Sequence, residues 1–275
     1  QRGGPSTGLP TKTEQSDLMQ AMYGRNGEAP VPVLAAATPG DCFFAAYEAC
    51  RIAVKYMTPV ILLTDGYLAN GSEPWQVPKV ADLPDFDVSF ADESNLADGQ
   101  FLSYSRDKKT LARPWAIPGT PGLEHRIGGI ETEDLTGNVS YDPDNHHYMV
   151  ETRAKKVDAI ANEIGPSEIF GNKSGELLIL SWGGTKGACR SATEALKAHG
   201  KKVSHLHLRW INPFPKDLGE NLIKFKHVLI PEINSGQLIK LIRAEFLVDA
   251  QGLNQVRGKP ISSSDIQDSA NKLIG

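Results

Sequence analysis

The sequence is short of sulfur. Its 275 residues include three cysteines, Cys42, Cys50 and Cys189, and no two of them form a CxxC pair. Three thiols fall below the four that a self-contained iron–sulfur cluster normally uses. An odd count in a chain of this size fits a reducing cytoplasm better than a disulfide framework. Long apolar runs are also missing. The longest, "VPVLAAA" and "PVILLTD", have strand length and fall far short of the ~20 residues that cross a bilayer. No basic-then-apolar leader opens the chain. Charge of either sign is modest, 29 Lys and Arg against 33 Asp and Glu, for a net of −4. That balance argues against a nucleic-acid groove or a membrane-binding surface. There is no GxSxG nucleophile turn, no P-loop spacing, no GxGxxG, no fixed-period repeat and no low-complexity tract.

What is present is an alternating pattern. Hydrophobic residues make up 40% and charged residues 23%, the usual balance of a globular chain. "TEQSDLMQAMYG" reads as a short helix with Thr13 as its N-cap and Gly24 as its stop. "VPVLAAA" reads as a buried strand, with Pro32 pointing to an edge or a first residue. In the helix that follows, Phe43, Ala46, Tyr47, Cys50 and Val54 recur at helical spacing, and Cys42 and Cys50 are expected to be small core residues. "TPVILLTDG" completes a βαβ unit with parallel strands buried on both faces. Residues 67–145 are dense in Pro, Gly and Asp and form one long irregular segment of the kind that often carries function. A helix resumes at "NHHYMVETRAKKVDAIANEI". From Glu176, three βα units follow: "ELLILSW", a half-buried "KVSHLHLRW" and "HVLIPEIN", each with its helix. Two α/β units are expected, residues 1–150 and 151–275.

In open parallel sheets ligands bind at the carboxyl ends of strands. Three loops qualify. "GGPSTG" combines Gly3, Gly4 and Gly8 with the hydroxyls of Ser6 and Thr7 and the guanidinium of Arg2. That set suits a small anion, because guanidinium and carboxylate match in bidentate geometry. A turn held by its own side chains would use the same residues. "WGGTKG" places backbone amides at a helix start, where anions are attracted, although a tight βα turn is the simpler reading. "GLEHRIGG" brings Glu124, His125 and Arg126 together, as an acid–base group, a carboxylate ligand or exposed loop charge. The adjacent His146 and His147 cannot face one way on a helix and are not read as a metal site. Asp65 is the best isolated carboxylate, otherwise a turn residue capping the next segment.

Several stretches carry a resemblance. "RGGPSTGLPTKTEQSDL", "GDCFFAAYEACRIAVKYMTPVILLTDGYLANGSEPW", "TPGLEH", "LLILSWGGTKGACRSATEALKAHGKKVSHLHLRWINPFP" and "PEINSGQLIKLIR" are similar to the α subunit of 2-oxoacid:ferredoxin oxidoreductases, in the 2-oxoglutarate branch. The resemblance implies a fold: part of a thiamine-diphosphate pyrimidine-binding parallel-sheet domain, followed by a transketolase C-terminal-like α/β domain. It also implies a reaction. A 2-oxoacid is decarboxylated with thiamine diphosphate, the acyl group passes to coenzyme A, and electrons pass through iron–sulfur clusters to ferredoxin. A β subunit supplies the diphosphate and magnesium side and a cluster. Pyruvate and other 2-oxoacid enzymes, and a non-catalytic subunit-interaction module, are the alternatives.

By the same resemblance Arg2 and Thr7 hold the substrate 1-carboxylate, while Gly3, Gly4 and Ser6 shape the loop. His125 or Arg126 would meet the distal carboxylate of 2-oxoglutarate. No catalytic residue and no metal ligand is assigned. The family's "YPITPS"-type loop and its activating glutamate are absent. The chain is therefore expected to be the C-terminal piece of a longer subunit, and the isolated chain to neither bind thiamine diphosphate nor turn over.

Overall fold

The computed structural model describes residues 1–6 and 8–275. Two sheets organise the chain. The first is built around strand β1 (Val33–Ala35), reached after the short helix α1 (Leu18–Tyr23). Helix α2 (Asp41–Tyr56) crosses over to β2 (Ile61–Leu63), which pairs parallel with β1. This is the expected βαβ unit. Pro32 stands just before β1, where its missing N–H costs nothing, and its carbonyl accepts from Ile61 at 2.9 Å. β1 is nevertheless the central strand of three, not an edge.

The long irregular segment follows. It contains only the five-residue α3 (Gly66–Asn70), two 3-10 turns and a two-stranded hairpin of β3 (Leu96–Ala97) and β4 (Gln100–Phe101). Helix α4 (Pro143–Ala159) ends it. Asp142 accepts from the Asp144 and Asn145 amides at 2.7 and 2.9 Å, and Pro143 fits the first turn. Position 150, the expected division, lies inside this helix.

The second sheet has five strands. β5 (Ile169–Phe170) precedes β6 (Gly175–Trp182), helix α5 (Lys186–Ala198) and β7 (Val203–Leu208). β8 (Trp210–Asn212) leaves this sheet and pairs antiparallel with β1 in the first. α6 (Leu218–Leu222), β9 (Phe225–Glu232), α7 (Leu238–Phe246), β10 (Gln251–Asn254) and α8 (Ser263–Ile274) complete the chain. The strand order is β10-β9-β6-β7-β5, parallel except at β5. The α/β class with parallel sheets is as expected. β10 and α8 have no counterpart in the sequence reading, because "QGLN" carries no apolar alternation.

Strand alternation assigns the layers. Leu178, Leu180 and Trp182 of β6 meet Val33, Ala35 and Leu63 of the first sheet in one shared core. Leu177 and Ile179 point the other way, against Cys189, Ala192 and Leu196 of α5 and Ile266 and Ala270 of α8. Leu34 and Ala36 pack on Ala45, Ala49, Ile52 and Tyr56 of α2.

This packing corrects several expectations. The buried stripe of α2 runs through Ala45, Ala49, Ile52 and Tyr56, so Phe43, Ala46 and Cys50 are exposed and Cys42 is half-buried. Small alanines lie closest to the sheet, and the larger apolar side chains that drew the eye lie outside. Cys189 alone is a core cysteine. Thr13 is not a cap; α1 begins after Asp17. β7 is buried along nearly its whole length, because it lies between two strands and under α5. β2 is only partly buried at Ile61 and Leu62.

Ile179 is fully buried on the middle strand of the five. Ile179→Ala is expected to cost about 2–5 kcal/mol, whereas Cys50→Ser on the exposed face should stay within about 0.5 kcal/mol. Urea unfolding of the two variants checks both.

Candidate functional site

The carboxyl ends of β2, β6 and β9 converge, and the segment 13–17 threads between them. Gln15 is fully buried there. Its Nε2 donates to Trp182 O at 2.8 Å, its Oε1 accepts from Ile233 N at 3.1 Å, and its backbone exchanges bonds with Ile233 O and Asn234 Nδ2. Gln237 extends the seam by donating to Ser16 O and accepting from Met19 N. The opening segment is thereby fixed to the second sheet.

Asp65, at the end of β2, joins three elements. Its Oδ1 accepts from Thr13 Oγ1 at 3.1 Å and from the Tyr67 and Leu68 amides at 2.9 and 3.2 Å. Its Oδ2 accepts from Gly184 N at 2.9 Å, across 119 residues of sequence. The anion at the "WGGTKG" turn is therefore the protein's own carboxylate. A Cβ on Gly184 would lie 2.4 Å from Asp65 Oδ2, so close approach requires glycine here.

The same device recurs. Glu73 accepts from Thr38 Oγ1 at 2.6 Å and from the Gly40 amide at the start of α2, and the Thr38 bond leads in holding its carboxyl below the usual range. Glu232 is fully buried. It accepts from Leu238 N and Ile239 N at the start of α7, from Trp182 Nε1 and from Asn234 Nδ2. Burial pushes its carboxyl up, and these bonds oppose that shift. The starts of α2, α5 and α7 thus each carry an internal carboxylate. At each of the three, a carboxylate of the chain itself already holds at least one of the amides that an anion would use.

The opening loop is a closed turn. Gly3 N donates to Lys12 O and Gly8 N to Pro5 O, both at 2.8 Å. Gly8 has φ +43°, and a Cβ there would lie 2.2 Å from Gly3 O. Ser16 Oγ donates to Arg2 O, and the Gln1 amino group donates to Thr64 O. The Arg2 guanidinium is exposed and donates to Gly3 O and Ser6 O. Arg2, Gly4, Pro5 and Ser6 line a shallow cavity of about 440 Å³ with Glu14, Ser16 and Asp17. Gly3 is buried beneath it. Thr7 lies outside the described residues.

His125 and Arg126 do not line that cavity. His125 Nδ1 bonds Leu123 O at 2.8 Å, and the ring meets Phe101 edge-on at 5.0 Å. His146 bonds Glu131, and His147 faces Glu151 at 3.4 Å.

The sequence reading missed a buried polar trio. Ser181 Oγ lies 2.7 Å from His205 Nε2 and 2.8 Å from His207 Nδ1, on the α5 side of β6 and β7. The available signal was the H-x-H spacing, which puts both rings on one face of a strand. Burial, then Arg190 and Lys186, push His205 down to about 4. Burial, then His205, hold His207 well below its usual range.

Together these features define an α/β chain whose ligand-facing ends are two sheets locked by internal carboxylates, with one glycine-rich, arginine-bearing loop at the surface. Residues 1–141 match the family model described as the thiamine-diphosphate-binding domain of pyruvate flavodoxin/ferredoxin oxidoreductase, and residues 175–266 match core domain II of pyruvate:ferredoxin oxidoreductase. The chain belongs to the pyruvate flavodoxin/ferredoxin oxidoreductase family.

It is 51% identical, over 97% of its length and 40% of the relative's, to the 2-oxoglutarate oxidoreductase subunit KorA of Mycobacterium tuberculosis. It is 33% identical to subunit alpha of 2-oxoacid:ferredoxin oxidoreductase 1 from Aeropyrum pernix, over 89% of this chain and 38% of that one. The 2-oxoglutarate:ferredoxin oxidoreductase of Magnetococcus marinus, solved with 2-oxoglutarate, coenzyme A and succinyl-CoA bound, superposes with a TM-score of 0.90 at 34% identity, covering 100% of this chain and 48% of that one. The chain thus spans less than half the length of these relatives. No helix among the described residues is long and apolar enough to cross a membrane.

Two outcomes are expected. Asp65→Ala strands four donors at a buried seam and should cost about 3 kcal/mol or more. Gly184→Ala should be strongly destabilising alone and much less so in the Asp65→Ala background, a coupling that a double-mutant cycle in urea measures. The histidine pair gives a pH dependence. Because both folded pKa values lie below the unfolded value near 6.5, the unfolded state binds more protons between them. Stability is complete above about pH 6.5 and falls as pH drops toward 4. Replacing both histidines by glutamine should flatten that slope in unfolding curves taken across the window.

Proposed function

We propose that this chain is part of the α subunit of a 2-oxoglutarate:ferredoxin oxidoreductase. The enzyme would decarboxylate the 2-oxoacid oxidatively, transfer the acyl group to coenzyme A and send the electrons to ferredoxin. The supporting observation is the 51% identity to the Mycobacterium tuberculosis subunit over 97% of the chain, joined by the close superposition on the Magnetococcus marinus enzyme. Residues 1–150 and 151–275 are proposed as its two α/β units, with α4 bridging the division, the first being part of the pyrimidine-binding domain.

The occupied βα starts bear on the cofactor. Asp65, Glu73 and Glu232 already occupy amides at three of those starts, which speaks against a diphosphate cradle there. We therefore assign the diphosphate and magnesium side, and an iron–sulfur cluster, to a β subunit, and we route no chemical step through this chain's residues. Their part is placement. Arg2, with Gly3, Gly4, Ser6 and Thr7 shaping the loop around it, is assigned to the 1-carboxylate of the substrate. That group must leave as carbon dioxide and lose its charge. An exposed guanidinium fits this need, since very tight ground-state binding of the carboxylate would raise the barrier to its departure. His125 and Arg126 are proposed for the distal carboxylate, reached from the irregular segment and not from the Arg2 cavity.

The test is an assay of the complete αβ enzyme on 2-oxoglutarate against pyruvate. Preference for pyruvate would overturn the substrate assignment. Arg2→Ala is expected to raise KM for the 2-oxoacid about 10- to 100-fold, the range of a charge-assisted hydrogen-bond pair. Arg126→Ala should lower activity on 2-oxoglutarate and spare activity on pyruvate; an equal effect on both acids removes it from the site.

A further inference from the structure

A second cavity, of about 530 Å³, opens between the irregular segment and helix α4. Four cations line it: Arg106, Arg113, Arg153 and Lys156. Two carboxylates answer them. Asp134 pairs with Arg106, and Glu131 is shared between Arg153 at 3.4 Å and His146. Arg113 and Lys156 have no carboxylate partner among the described residues, although both are half-buried. Arg113 donates to Ser103 O at 3.1 Å and Lys156 to Met57 O at 3.2 Å. Neutral carbonyls do not offset the cost of taking two charges out of solvent.

Nor are the cations loosely held. The Tyr104 ring carries Arg113 at 4.3 Å and Arg106 at 5.4 Å from its centroid, so one ring fixes two guanidiniums. Arg106 is further held by Tyr104 O and by Met149 Sδ at 3.3 Å, and its side chain is 12% exposed. Burial, then the field of Arg113, Arg106 and Arg153, pushes the Lys156 ammonium down to about 8. Like charges held together against repulsion in a concave site indicate a ligand of opposite charge that is missing from the balance.

We propose that this cavity binds a compact polyanion, with Arg113 and Lys156 as its principal ligands and Arg106 and Arg153 at its sides. Guanidinium forks match the paired oxygens of a phosphate or a carboxylate, and the ammonium adds a point charge. The shared chemistry is two or more anionic oxygen groups within a few ångströms, as in a diphosphate or in a di- or tricarboxylate. A concave, half-buried site favours a small anion over the acidic surface of a protein. The proposal uses no residue assigned to 2-oxoacid or cofactor, so it stands or falls independently of the enzyme reading.

The experiment is calorimetric titration of the complete enzyme, with thiamine diphosphate already bound and free magnesium removed, using pyrophosphate in one arm and citrate in the other at low ionic strength. At least one anion should bind. Pyrophosphate alone assigns a phosphate-bearing ligand, and citrate alone a carboxylate. Lys156→Gln and Arg113→Gln should each weaken binding about tenfold or more, and Lys156→Arg should preserve it. Arg153→Gln, at the exposed rim, serves should either buried variant fold poorly, and should weaken binding about threefold. Without anion, Lys156→Gln should melt no lower than the parent, because it removes an unpaired, repelled charge; a merely structural lysine would lower the melting temperature. Binding of neither anion, as expected if the cavity instead receives an acidic protein side chain, overturns the proposal. So does an affinity unchanged in all three glutamine variants.

Discussion

Everything at the ligand-facing end of this molecule depends on the Asp65 carboxylate. It sits at the end of one sheet, starts the next helix, holds Thr13 of the opening segment and reaches Gly184 at the end of the other sheet. Buried carboxylates are costly unless their lone pairs are filled. Four donors fill this one. Because the donors come from three separate stretches of chain, satisfying one group fixes the mutual position of both sheets and of the loop that precedes α1.

The rest of the seam follows from the same need. Helix starts expose amides that must find acceptors. At α2, at the turn into α5 and at α7, the acceptors are Glu73, Asp65 and Glu232. Gln15 satisfies carbonyls and amides that the strand ends leave over. A fold built on βα units normally keeps such starts for ligands. Here at least one amide at each is taken internally, and the two proposed anion sites rest on side chains instead: Arg2 at the opening turn, and Arg113 of the irregular segment with Lys156 of α4.

Much of this architecture was legible in the sequence, for identifiable reasons. β6 and β9 are continuous apolar runs bounded by turn residues, and the stretch from Asn145 announces α4, which starts two residues earlier at Pro143. The inward face of α2 differs from the expected one because its first two core residues, Ala45 and Ala49, are small, and the bulky Phe43 and Tyr47 set the phase of the apolar pattern. β10 was invisible because its pairing with β9, not its composition, makes it a strand. In the sequence, "WGGTKG" reads as an anion-attracting turn and Asp65 of "TDG" as an isolated carboxylate, two unconnected features. That one satisfies the other is a contact over 119 positions, and local spacing carries no record of it.

The two sheets also share their core, and this bears on how the loops are held. Leu178, Leu180 and Trp182 share one core cluster with Val33, Ala35 and Leu63, and β8 from the later part of the chain pairs with β1. A hinge between the sheets would have to break that apolar contact, the β1–β8 ladder and the Asp65–Gly184 bond at once. The pair is therefore a rigid platform, and motion is left to what projects from it. The glycine-rich opening turn is tied to the platform through Gln1 and Ser16, and its exposed Arg2 guanidinium donates to the turn's own Gly3 O and Ser6 O. Such an arrangement presents a cation at a fixed place on the surface, the geometry that the proposed role of Arg2 requires.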